Sequence, residues 1–423
     1  MIRRDGVRAD IDADSLINVC AGVKGRTTIP GGIDIKIRTD KAMLRYWTAG
    51  ESHGKGLIAF VDGFPSGVAI DEEKINHELR RRQGGYGRGD RQTIETDFVD
   101  IMSGVWRSHS TGAPIALWTP NRDYKIEKMD DIDRPRPGHG DLSGGLKYLA
   151  PVRHILERAS ARETAARVSA GALVKLLLAE FGIRVIGYVV SIGPLSATKV
   201  ADDMSFEERM QRREASELYT LDPDRDPKFK KLIDKCKDDG DTYGGVIEVR
   251  VEGVPFGLGT HAQWDQKLDG RIAQAVMAVQ AMKGVEIGLG FEAAKRPGSQ
   301  VHDAINFDPS QIDSPTLGYT RPTNRAGGIE AGMTNSQPIV VRAAMKPIST
   351  LKKPLDSVSF ETKEAETAAY ERSDVCAISA ASVVIEQVVA FEIGRALVDK
   401  FGGDSLQEMK ARLELFQQLA RER

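Results

Sequence analysis

The chain has only three cysteines in 423 residues, Cys20, Cys236 and Cys376, widely spaced and with no Cys-x-x-Cys pair. That argues against a disulfide framework and a zinc site, and it suits a reducing cytoplasm. Neither sign of charge dominates. With 59 Lys and Arg against 61 Asp and Glu, the whole chain has no general attraction for a polyanion, so any basic site must be local. No apolar run approaches the ~20 residues that span a bilayer, and no membrane span is expected. No fixed-period repeat occurs. Also missing are G-x-x-x-x-G-K-[ST], G-x-S-x-G, H-E-x-x-H and a strand-borne G-x-G-x-x-G with a following ribose-binding acid. Nucleotide-triphosphate, serine-hydrolase, zincin and Rossmann readings therefore lose weight.

What remains is an ordinary globular composition, 41% hydrophobic and 28% charged. The length suits two or three average domains or one large α/β domain. Residues 1–42 mix charges and glycine with one weakly apolar run, LINVCAGV. Asp10, Asp12 and Asp14 separate the basic start from that run, which is unlike a secretory signal. No amphipathic period is sustained, so this segment reads as an appendage rather than a small folded module.

From Met43 the pattern is that of a compact α/β protein. LIAFVDGFPSGVAI reads as strand, turn and short strand, and DEEKINHELRRRQ as a helix with an acidic start and a basic end. TGAPIALWTP is a further strand. ERASARETAARVSAGALVKLLLAEFG reads as one long helix with small residues on one face, followed by the β-rich GIRVIGYVVSIGPL. Residues 200–242 are strongly charged and predict two exposed helices around LDPDRDP. GGVIEVRVEGVPFGLG and GVEIGLGFEAA read as strands on either side of the helix DQKLDGRIAQAVMAVQAM. QPIVVRAAM is another strand, and SAASVVIEQVVAFEIGRALVDKFG a helix leading into a charged tail, residues 403–423.

Chemistry concentrates in a few loops. In LRRRQGGYGRGDRQ, Arg80, Arg81, Arg82, Arg88 and Arg91 surround four glycines. Guanidinium groups bind phosphate or carboxylate in bidentate fashion and glycines admit close backbone approach, so the segment reads as an anion cradle. The bland alternative is a solvated basic helix end. Nucleic acid fits less well, because only Tyr86 offers a stacking ring. RPRPGHGDLSGG sets His139 between two glycines, a loop that can present a titrating ring, although a lone loop histidine is more often merely solvated. TAGESHGKG places Glu51, Ser52 and His53 side by side, with no nucleophile elbow to make Ser52 an attacking group. In RASARET, Ser160 suits a helix start that binds phosphate, or ordinary capping. AAMKPIST offers a lysine and two hydroxyls at a strand end, and ERSD an Arg beside an Asp. Together these imply a small, strongly anionic ligand held by arginines near two exposed histidines.

GESHG, RRQGGYGRGDR, RPGHGD, RASARETAARV, QAMKGVEIG, NRAGGIEAGMTN, AAMKPIST and ERSDVCA occur in the order found in chorismate synthases. On these eight motifs the stretch 43–402 resembles that family over nearly the whole chain, and because the family's amino terminus begins close to MLRYWTAGESHG, the resemblance implies that residues 1–42 are a dispensable, poorly ordered extension. The resemblance implies an α+β fold, a β-α-β sandwich with helices packed between antiparallel sheets, in a cytoplasmic homotetramer. It implies conversion of 5-enolpyruvylshikimate 3-phosphate to chorismate and phosphate, a 1,4-elimination that uses reduced FMN without net redox change. The flavin's reductant is left open between NADPH and an external flavin reductase.

By the same resemblance His53 is the general acid toward the leaving phosphate and His139 stands by the flavin's pyrimidine ring. Asp374 helps remove the flavin N5 proton, and Ser52 and Ser160 relay protons. Arg82, Arg88, Arg136 and Arg372 are the candidates for the anionic substrate; Arg82 and Arg88 also match positions linked to NADPH. Flavin positions are Arg158, Ala159, Ser160, Gln280, Ala281, Ala331, Lys346, Pro347, Ile348, Ser349, Thr350 and Arg372. No metal is implied. Ala331 and Ser336 replace glycines usual in the family; if position 331 requires positive φ, alanine there costs about 1 kcal/mol.

Overall fold

The structure, a computed structural model, describes residues 44–89, 95–198, 201–371 and 373–423. The expectations for residues 1–42, for Arg91 and for Arg372 lie outside the described residues.

Alternating segments build two sheets. The first contains β1 (Arg45–Ala49), β2 (Gly56–Asp62), β3 (Asp100–Ile101) and β4 (Ile115–Pro120), in the order β1-β2-β4-β3. The second contains β5 (Arg184–Ile192), β6 (Leu195–Ser196), β7 (Gly245–Glu252), β8 (Met282–Ile287) and β9 (Ile339–Met345), in the order β8-β9-β7-β5-β6. Every pairing within both sheets is antiparallel. In β2 the period of two buries Leu57, Ala59 and Val61 and turns Ile58 and Phe60 outward.

The helices are α1 (Glu72–Gln83), α2 (Asp141–Tyr148), α3 (Val152–Ala159), α4 (Thr164–Ala179), α5 (Phe206–Ala215), α6 (Asp226–Asp238), α7 (Leu268–Met277), α8 (Ile378–Phe401) and α9 (Leu406–Arg421). α8 is apolar on nearly every side, as a helix in the interior must be. It packs on α1 and α4 and against β5 and β7, while α4 also meets β2 and β4. The helix layer thus lies between the sheets, as the family resemblance implied. No described helix is long and apolar enough to cross a membrane.

Close packing has a sequence cause. A Cβ on Gly171 of α4 would lie 2.4 Å from the Gln387 carbonyl of α8, and one on Gly394 would lie 2.2 Å from Val174. Any larger residue at either place forces the helices apart. Within this layer Glu386 of α8 is fully buried. It accepts hydrogen bonds from Arg81 of α1 (3.1 Å), Arg213 of α5 (3.2 Å), the Gly187 N–H of β5 (2.9 Å) and Lys175 of α4.

Four expectations need correction. The long helix over 157–182 is broken at Ser160, whose extended backbone (ψ 141°) ends α3 and whose hydroxyl accepts from Arg162 N–H. The strand GVEIGLGFEAA stops at Ile287, because Gly288 and Gly290 take φ of 59° and 53° and the chain turns into a 3₁₀ segment. The GVAI segment makes only an isolated bridge, from Ala69 to His109. α5 and α6 do flank the LDPDRDP turn, but they are not simply exposed: Arg209, Arg213, Phe229 and Ile233 are buried.

Candidate active site

A cleft of about 420 Å³ opens at one end of the helix layer. Its walls come from the loop after β1, the end of α1, the loop before α2, the α3–α4 break, the start of β8, the chain leaving β9 and the first turns of α8.

His53 lies on its wall, held by residues distant in sequence. Its Nδ1 is 3.0 Å from Glu157 Oε1, and its backbone N–H donates to Glu157 Oε2 at 2.8 Å. Burial opposes ionisation of Glu157, yet the bonds from His53 and the charge of Arg153 outweigh it and leave its pKa below the usual carboxylate value. Asp123 Oδ2 is 3.8 Å from Nε2. The Ser160 hydroxyl donates to that of Ser52 at 3.2 Å, so the helix break brings the two predicted relay hydroxyls together.

The arginine loop divides its work. Arg80 pairs outward with Glu73, and Arg81 enters the core network, so neither serves the cleft. Arg82 and Arg88 line it. Arg82 is 6% exposed and donates to Thr164 Oγ1 (2.9 Å), the Ala161 carbonyl (3.1 Å) and Asp97 (3.2 Å). Burial pulls its pKa down to about 10 despite Asp97. Arg88 lies 3.0 Å from Asp374, whose other oxygen accepts the Gly89 N–H at 2.6 Å. The expected open cradle is instead a set of arginines already paired with carboxylates.

Arg136 and His139 also line the cleft. Asp141, fully buried at the start of α2, accepts from Arg136 Nε at 2.8 Å and also contacts His139 Nδ1. Burial opposes its ionisation, but the bonds from His139 and Arg136 hold its pKa well below the carboxylate range. Both histidines are largely buried, with side chains 12% and 21% exposed, rather than exposed as the loops suggested.

The lining also includes Ala159, Gln280 and Ala281 with Lys346, Pro347, Ile348, Ser349 and Thr350, and the Lys346 N–H donates to the Ala281 carbonyl at 2.9 Å where β8 and β9 meet. Lys346 donates to the Gly138 carbonyl, and burial together with Lys283 lowers its pKa. Two predicted flavin residues are not on this wall. Arg158 is exposed and ties to the Thr48 and Gly50 carbonyls. Ala331 is the exposed first residue of a two-residue turn, with φ 52°, followed by the buried Gly332 at 82°, between the short strands Ile329–Glu330 and Met333–Thr334. That turn requires positive φ twice, which is why glycine is usual there. Ser336, φ 64°, offsets its own strain by donating to the Val254 (3.0 Å) and Pro315 (2.7 Å) carbonyls.

Sequence reasoning missed the carboxylates and amide that organise the site: Glu157, Asp141, Asp97, Asp123 and Asn121. Asp141 was legible as the neighbour of His139 in RPGHGD. Asp97, Asp123 and Asn121 carry no local signal, since only the fold sets them against Arg82, His53 and the 51–54 loop. Arg162, inside RASARET, was also passed over; it lines the cleft and pairs with Asp97 at 2.6 Å.

The family described as Chorismate synthase matches residues 44–398. The chorismate synthase of Geobacter metallireducens is 54% identical over 382 residues, covering 87% of this chain and 97% of that protein. That of Aquifex aeolicus is 52% identical over 390 residues, covering 88% and 96%. A crystal structure of a chorismate synthase superposes with a TM-score of 0.75 at 44% identity, covering 91% of this chain and all of the other. Matches of this depth over nearly all of the chain show that it belongs to the chorismate synthase family, lyases of the shikimate pathway to the aromatic amino acids.

Proposed function

We propose that this cleft binds 5-enolpyruvylshikimate 3-phosphate beside reduced FMN and eliminates phosphate to give chorismate. One observation carries the assignment of the reaction to this cleft: His53, His139, Arg82, Arg88, Arg136 and Asp374 all face one space. A substrate with one phosphate and two carboxylates calls for several guanidinium groups, and an expelled phosphate calls for a proton donor.

The lining suits a flavin. Ala377, Ala380, Ala381 and Val384 give an apolar wall for a planar ring, and Gln280 Oε1, also in the lining, is buried with no hydrogen-bond donor among the described residues. Gln280, Lys346, Ser349 and Thr350 would hold its polar edges. The chemistry a reduced flavin supplies when bound is an electron lent to the substrate and recovered by the end of turnover.

This chain's residues do the rest. Arg82, Arg88 and Arg136 bind and orient the anion, each kept rigid by a carboxylate, Asp97, Asp374 and Asp141 respectively. His53 protonates the departing phosphate. His139, with its Nδ1 against Asp141, would hold a proton toward a bound flavin, and Asp374 would accept one from it. Ser52 and Ser160 supply the hydroxyl relay. Arg372 is assigned with the substrate arginines by its motif alone.

The protein works as a cytoplasmic homotetramer in this reading. The outer face of the first sheet, with Trp47 50% and Phe60 38% exposed, supports self-association; a monomer mass by light scattering removes that part. Reducing equivalents come from NADPH at this protein or from a separate flavin reductase, and anaerobic NADPH oxidation by the purified protein distinguishes the two. The main test is anaerobic incubation with dithionite-reduced FMN and the substrate, following phosphate release and chorismate absorbance. Absence of both products overturns the reading.

A further inference from the structure

We propose that Glu157 is a positioning residue that fixes the proton of neutral His53 on Nδ1, leaving Nε2 as the nitrogen that exchanges a proton with the substrate. The inference rests on His53 being the acid of the proposed reaction.

The main chain at His53 is held without any help from its ring. The Asn121 amide donates to the carbonyls of Glu51 (3.1 Å), Ser52 (3.2 Å) and Gly54 (2.9 Å). The N–H groups of Lys125 and Ile126 both donate to the His53 carbonyl at 3.1 Å, and the Ser52 N–H donates to the Glu157 carbonyl at 2.9 Å. What these bonds leave undetermined is the orientation of the imidazole and which nitrogen carries its proton.

Glu157 determines both. Its side chain, 1% exposed near the end of α3, has its two oxygens 3.0 and 3.1 Å from Nδ1. An ionised carboxylate only accepts, so Nδ1 must be the donor. The lowered pKa of Glu157 keeps it ionised at neutral pH. At the other nitrogen, Asp123 is 3.8 Å away, beyond hydrogen-bond reach, and pairs with Lys125 at 3.0 Å. Nε2 is thus the ring atom available to a ligand in the cleft. In the acid step the Nε2–H bond breaks, the proton goes to a phosphate oxygen as the C–O bond is lost, and the ring ends neutral with Nδ1–H held by Glu157.

Glu157→Gln tests this on the full chain. The fixed backbone N–H of His53 claims the amide oxygen, which turns the NH₂ toward Nδ1 and favours the opposite tautomer. Histidine-selective ¹⁵N spectra at alkaline pH, with the His53 signal assigned from its loss in His53→Gln, report the tautomer. Wild type should show Nδ1 protonated. Steady-state rates of Glu157→Gln should show kcat reduced tenfold or more, with substrate KM within threefold and partial recovery in Glu157→Asp. A wild-type His53 protonated on Nε2, or wild-type kcat in Glu157→Gln, overturns the proposal. Lack of chorismate formation by the wild type would instead overturn the proposed function, while the wild-type tautomer still decides this inference.

Discussion

An imidazole transfers a proton well only when its second nitrogen is fixed, and both cleft histidines meet that condition in the same way. His53 sets Nδ1 against Glu157, and His139 sets Nδ1 against Asp141. Removing either ring should therefore remove a proton-transfer group without disturbing the fold. His53→Ala and His139→Ala are each expected to lower turnover by about 10²-fold, the low end of general acid–base contributions, with unchanged circular dichroism. Wild-type phosphate release in either variant would take that residue out of the reaction. The histidines were legible because glycine-flanked imidazoles stand out in a sequence. Asp141 was legible beside His139, but Glu157 was not, because it lies 104 residues from His53 and its bond exists only after the first sheet meets α3. The arginines show the same limit. Their number pointed correctly to anion binding, but local sequence could not tell that Arg81 would turn to Glu386 in the core.

At the level of elements, period and capping predicted α1, α4, α8 and the long strands because these carry sustained apolar patterns. The break at Ser160 escaped because Ala, Arg and Glu in RASARET are good helix formers, and its extended backbone is marked by a local cap to the Arg162 N–H and a tertiary bond to Ser52. Glu386 is the complementary case, a carboxylate in an apolar helix that joins α1, α4, α5 and β5. Glu386→Ala leaves Arg81, Lys175 and Arg213 without their shared buried partner, and a loss of about 3–5 kcal/mol is expected. Urea unfolding would show it; a loss below about 1 kcal/mol would mean that water reaches these groups. The hairpin turn at Ala331 gives the opposite sign. Ala331→Gly relieves a left-handed alanine at the cost of a more flexible unfolded chain, for a net gain of roughly 0.5 kcal/mol. Melting temperature should rise by about 1 °C with turnover unaffected. Reduced turnover would mean that this turn reaches the flavin.

For the whole molecule, the buried carboxylates set how acid unfolds it. Asp141, Glu157 and Glu386 all have folded pKa values below their ordinary ones, so each contributes stability that is complete above the unfolded value of about 4. That contribution is lost as pH falls toward the folded values. Urea midpoints should hold from neutrality to about pH 5 and decline steeply below it. A midpoint unchanged at pH 3 would contradict these shifts. The extent of chain that does this work is a separate question, and the family match bears on it. It begins at residue 44, and the relatives from Geobacter and Aquifex align over 97% and 96% of their own lengths while covering 87% and 88% of this chain. Every residue assigned to the cleft lies after that point, and so do both sheets and the helix layer. We therefore expect a chain that begins at Met43 to keep the melting temperature and turnover of the full chain within about twofold, since no catalytic or core contact assigned above is removed. Full loss of activity on that truncation would assign residues 1–42 a part in folding or catalysis that the family match gives no reason to expect.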